Sequence, residues 1–155
     1  MGDSYDWLVH DHSEFESALH GLAEELEREH WAEVRKHFGQ MANGMMAHIA
    51  MEEEVIYPAY AAAPGLPQRP LTALSAEHET IMGLLRSLST EVGGGNARSA
   101  QVALDELERA LVNHHEREET FFLPMAGHLL QPQREEIEAR LASFDAAAGS
   151  RQWRL

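Results

Sequence analysis

A chain of 155 residues is long enough for one domain with a buried core. Its net charge of −14 argues against nucleic acid or an anionic membrane surface as partner. The absence of cysteine excludes disulfides, thiolate metal sites and cysteine nucleophiles, whereas ten histidines is a count that needs an explanation.

The opening stretch, MGDSYDW, is acidic and lacks the apolar core of a signal peptide. No apolar run approaches the length of a membrane span, so a soluble cytoplasmic protein is expected. Apolar residues recur at alternating steps of three and four, the period of a helix. Two segments break the pattern, AAPGLPQRP (62–70) and STEVGGGNA (89–97). The reading is all-α, with long helices over roughly 4–28, 31–61, 71–91 and 97–127. The joint near Glu29 and His30 carries neither Gly nor Pro. After Pro132, Ile137, Leu141 and Phe144 predict a short C-terminal helix over about 132–147. The whole is read as one domain over 1–155, with the bundle occupying about 4–127.

Each helix has one apolar seam. The first runs Leu8, His12, Phe15, Leu19, Leu22, Leu26, and the second from Trp31 and Val34 through Phe38, Met41 and Met45 to His48, Glu52 and Val55. The third takes Leu71, Leu74, His78, Ile81, Leu85 and Leu88; the fourth takes Leu104, Leu107, Leu111, His114, Glu118 and Phe121. A shift of 66 residues carries His12 onto His78, His48 onto His114, Glu52 onto Glu118 and Pro58 onto Pro124. Each half is therefore a helical hairpin, and two related hairpins make an up-down-up-down four-helix bundle.

The His-x-x-x-Glu spacing alone means little, because it occurs six times and surface pairs of this kind are ordinary on acidic helices. The pairs beginning at His10 and His20 lie off the seam and are expected in solvent. Those at His48 and His114 lie on it, and a core carboxylate costs several kcal/mol unless paired or bound to a metal. No Lys or Arg on the seam could neutralise Glu52 or Glu118. At about 1.5 Å of rise per residue, His12, His48, Glu52, His78, His114 and Glu118 fall within one or two turns in depth. Four imidazoles and two carboxylates at one buried point read as a metal site. The donors suit iron, manganese or zinc, and six are too many for one structural zinc. Two metals, each with two His and sharing two bridging carboxylates, use all six. Ferritin-like bundles instead carry Glu-x-x-His on two helices; here it occurs once, at Glu27–His30, off the seam.

The stretches HDHSEF, HIAMEEEVIYP, AEHETIM and HHEREETFFLP resemble, in that order, the hemerythrin-like (HHE cation-binding) family over about residues 5–127. The resemblance implies two non-haem iron ions held by His12, His48, Glu52, His78, His114 and Glu118, with the carboxylates bridging. Glu53 and Glu119 would orient ligands. Oxygen-carrying hemerythrins have a fifth His one turn after the first His of helix three, where this chain has Met82, and an Asp at longer spacing in place of Glu118. That departure bears on reversible oxygen carriage, not on metal binding. His10, His115, Tyr57 or solvent could complete the coordination. The implied function is binding of a small diatomic ligand (dioxygen or nitric oxide) or of peroxide, for sensing, storage or detoxification. Peroxide dismutation, iron oxidation, or a metal-stabilised module acting through a protein partner remain the alternatives.

Overall fold

The computed structural model describes residues 6–129 and 134–147, all of the regular elements being helical, with no strand among them. Helix α1 is Asp6–Glu27. Helix α2 runs continuously over 31–62, as Trp31–Met51, a wide turn Glu52–Ile56, and Tyr57–Ala62. Helix α3 is Arg69–Gly94. Helix α4 repeats the plan of α2 over 97–129, as Ala97–Arg117, a wide turn Glu118–Phe122, and Leu123–Leu129. Helix α5 is Arg134–Ala147. The expected residues 4–5 and 132–133, and the side chains of Leu141 and Phe144, lie outside the described residues.

The four long helices pack as a ring: α1 on α2, α2 on α3, α3 on α4, and α4 back on α1. His48 near the end of the first part of α2 meets Asp11 near the start of α1, and Glu25 at the other end of α1 meets His37. Both hairpins turn in the same way. Glu29 takes a left-handed φ of 53°, the His30 N–H bonds the Glu25 carbonyl, and the Glu29 N–H bonds that of Leu26. Sixty-six residues on, Gly95 takes φ 69°, Asn96 bonds the Glu91 carbonyl and Gly95 that of Val92. This helix ending favours glycine at the left-handed position. One half has it and the other does not, which is why the first joint carried no sequence signal. Asn96 also caps α4, its side chain accepting from the Ser99 N–H at 3.0 Å, whereas His30 caps nothing with its side chain.

Helix α3 is longer than its seam predicted, beginning at Arg69 and ending at Gly94 rather than Leu71 and Glu91. Val92, one turn beyond Leu88, is wholly buried and holds the helix through the first glycines.

The wide turns have a local cause. Pro58 has no N–H to give, and in a regular α-helix its ring would press on the Glu54 carbonyl. The chain opens by one residue instead: the Tyr57 N–H bonds the Glu52 carbonyl five residues back, and the Leu123 N–H does the same to Glu118. The Glu54 carbonyl accepts from Arg140 of α5 at 3.2 Å. The extra residue shifts the helix phase, and this corrects the expected seam. Phe121 is 70% exposed, while Phe122 is buried against Tyr57 and Tyr60. Phe15, Trp31 and Leu71 are half-buried; the other apolar seam residues are buried as expected.

Two apolar clusters result. One, around Leu19, Phe38, Leu85 and Leu107, fills the hairpin-turn end of the bundle. The other, around Leu8, Ile56, Tyr60, Leu74, Phe122 and Ile137 of α5, closes the opposite end. The buried polar residues lie between them.

Candidate metal centre

Helix α1 brings His12, α2 brings His48 and Glu52, α3 brings His78, and α4 brings His114 and Glu118, and all six side chains are buried. The two carboxylates are completely so, at 0% exposure. The seam periodicity places them, and the contacts between neighbouring helices set their common depth. Nε2 of His114 lies 3.0 Å from Nε2 of His78 and 3.0 Å from Oε2 of Glu118. His48 Nε2 is 2.5 Å from Glu52 Oε1, but no N–H points at that oxygen. His12 Nε2 stands 3.8 Å from Glu118 Oε2, and His78 Nε2 stands 3.8 Å from Glu52 Oε2.

Five of these buried atoms have no hydrogen-bond partner: Nε2 of His12, Nε2 of His48, Oε1 of Glu52 and both oxygens of Glu118. A buried acceptor left unmade costs about 1–3 kcal/mol, and more when charged. Five together, facing one another, mark a place where cations would satisfy them. The donor atoms fall into two groups, each within 4.8 Å: Glu52, His78, His114 and Glu118; and His12, His48 and Glu52. The residues present therefore fit metal binding. A third group, Glu25, Glu33 and His37, lies near the hairpin-turn end and is partly exposed.

The outward nitrogens are all held. Nδ1 of His12 meets Glu119 at 2.9 Å, that of His48 meets Asp11 at 3.2 Å, that of His78 meets Glu53 at 2.6 Å, and that of His114 meets Glu77 at 2.8 Å. A carboxylate on Nδ1 fixes the ring and leaves Nε2 as the inward donor, the usual arrangement behind metal-bound histidine. Glu53 and Glu119 stand where the sequence put them. Asp11 and Glu77 were missed, although they are related by the same 66-residue shift and each immediately precedes a seam His.

The residues offered for completing the coordination separate clearly. His10 is on the surface beside Glu14. His115 is buried, stacked on His12 with ring centroids 3.8 Å apart. Tyr57 is buried too, and its phenol donates to Glu52 Oε2 at 2.8 Å. Met82 is half-buried, packed against the core one turn beyond His78. A cleft of about 630 Å³, lined by Ile49, Glu53, Ser75, His78, Met82 and Arg86 among others, reaches this side of the centre.

Without metal, the charges compete. Burial, then the charge of Glu52, pushes the Glu118 carboxyl well above its usual range, so that it holds a proton. Glu52 goes well below: burial works against this, and the adjacent protonated Glu118 and the nearby His48 charge prevail. Burial also opposes a charge on His48, yet Glu52 and Asp11 outweigh it and raise His48 to about 9. Burial, then the charge of His48, lowers His12 to about 3; burial, then His12, lowers His115 to about 2. Burial and the carboxylates hold the Tyr57 phenol protonated, as a donor must be.

No curated protein and no solved structure matches the chain. The family model of the hemerythrin HHE cation-binding domain matches residues 3–146. With the repeated His and Glu layer between two apolar clusters, that match establishes that the chain belongs to the hemerythrin HHE cation-binding family.

Proposed function

We propose that the chain binds two iron ions in one carboxylate-bridged centre and uses it to bind dioxygen, nitric oxide or peroxide, for sensing, storage or detoxification. The ligands are His12, His48, Glu52, His78, His114 and Glu118, on four helices running up, down, up and down. The observation that carries this reading is the set of five partnerless donor atoms facing inward, with Glu52 common to both donor groups. The antiparallel course is supported by the pairing of Asp11 with His48 and Glu25 with His37, and by Glu53 meeting His78.

Bound iron would supply electrons and an open position for a small ligand. The chain does the rest. Asp11, Glu53, Glu77 and Glu119 orient the imidazoles, and the apolar clusters exclude bulk water on both sides. The cleft at His78 and Met82 is a route for a molecule of a few atoms.

The test is the visible spectrum of iron-loaded, reduced protein mixed separately with dioxygen, nitric oxide and peroxide. A new band that saturates with one of them and decays on its removal supports a binder. Steady peroxide consumption that a Glu52→Ala variant lacks assigns the enzymatic alternative. No change with any of the three contradicts the small-ligand reading.

A further inference from the structure

The repeat that builds the centre is broken at one residue touching it. The 66-residue shift carries Tyr57 onto Leu123. The wide turns are the reason this matters. In a regular α-helix, residues five apart point about 140° away from each other. The five-residue bond from the Tyr57 N–H to the Glu52 carbonyl swings Tyr57 back over Glu52, where its phenol reaches Oε2 at 2.8 Å. In the other half the same turn presents Leu123, which has no donor, and both oxygens of Glu118 are left without partners.

The two donor groups depend unequally on this difference. The group of His78 and His114 has Glu118 within close reach besides Glu52. In the group of His12 and His48 only Glu52 lies within that reach of both imidazoles, Glu118 Oε2 approaching it from the His12 side at 3.8 Å. With Oε2 tied to the phenol, Oε1 is the oxygen left facing His48. The ring is fixed in turn, parallel to His78 at 5.5 Å and edge-on to Phe122 at 5.3 Å.

We propose that Tyr57 is a positioning residue that aims Glu52 Oε1 at the His12–His48 position, so that this position fills only while the phenol holds Glu52. The proposal rests on the two-metal reading above. The His78–His114 position, with Glu118, does not need Tyr57. The two positions are thus unequal in a chain whose ligands are otherwise related by an internal repeat.

Anaerobic titration of the metal-free full chain with cobalt(II), followed by its visible absorption, tests this. Wild-type protein should take up two equivalents. Tyr57→Phe keeps the ring but removes the donor; it should keep the first equivalent and bind the second roughly tenfold or more weakly. Its helical content and metal-free melting should stay near wild type, which separates aiming from packing. Tyr57→Met, which fills similar space without a donor, should behave alike. If wild type takes only one equivalent, the two-metal reading fails. If wild type takes two and both variants match it, that reading stands and the role of Tyr57 is overturned. Loss of both equivalents together, or failure of both variants to fold, assigns Tyr57 a structural role and also overturns the proposal.

Discussion

Glu77 of α3 holds Nδ1 of His114 at 2.8 Å, and its other oxygen accepts from Arg117 of α4. It touches none of the inward nitrogens; its effect on a bound metal passes through the imidazole. Replacing Glu77 with Ala should lower metal affinity by about 10–100-fold, the usual cost of losing a group that orients a ligand. Equilibrium competition against a chelator measures it. Unchanged affinity would mean that His114 is oriented by its packing alone.

The hairpin turns make a prediction that is independent of metal. Glu29 occupies at φ 53° the position that Gly95 fills in the other half. A side chain with a Cβ costs roughly 1–2 kcal/mol in that conformation. Glu29→Gly should therefore stabilise the chain by about 1 kcal/mol, read as a higher denaturation midpoint. Gly95→Ala should destabilise it by a similar amount.

Adjacent phenylalanines should differ sharply. Phe122 is buried between two tyrosines, so Phe122→Ala should cost about 3–5 kcal/mol. Phe121 is exposed, and Phe121→Ala should stay within about 0.5 kcal/mol. Urea denaturation of the two variants decides between this phase and the one that simple periodicity predicts.

That pair also shows where sequence reading stops. The seam was legible from Leu8 to Leu111 because a regular helix keeps its period, and the six polar residues stood out against it. Past Glu118 the wide turn adds a residue, so the period pointed to Phe121 instead of Phe122. Tyr57 was recognised as close to the centre, but its bond to Glu52 was not, because residues five apart do not share a face of a regular helix. Asp11 and Glu77 are two of 26 acidic residues with nothing local to distinguish them. Only the repeat relates them, and only the packing shows which imidazole each holds. His115 lies beside the seam, and its burial follows from the approach of α1, where it stacks on His12.

The metal-free protein should lose stability in acid through buried histidines as well as carboxylates. His12 and His115 titrate near 3 and 2 when folded against 6.5 when unfolded, and His114 is also lowered. Below about pH 6.5 the unfolded chain binds these protons and the folded chain does not, so stability falls as pH falls. Glu118, Glu16 and Glu119 are raised and work the other way until both states hold their protons, at about 4.5 and below. His12, His115 and the lowered Glu52 go on costing stability beneath that pH. His48, raised to about 9, adds stability that is complete below 6.5 and lost as pH rises through 9. Melting temperature of metal-free protein should be highest between about pH 4.5 and 6.5 and decline on both sides. A melting temperature still rising from pH 4.5 to 3 would contradict the assignment.

In the proposed centre, Glu52 and Glu118 bridge two metals whose remaining ligands are four histidines. Iron per chain, measured after anaerobic loading and removal of unbound metal, tests it most directly, with the double variant Glu52→Gln, Glu118→Gln beside wild type. The amides keep the shape of the carboxylates and remove their charge, so the anionic bridges are lost while the helices remain. Wild type should hold about two irons per chain and the double variant few. Saturation of wild type at one iron, or two irons retained by the double variant, would contradict that centre.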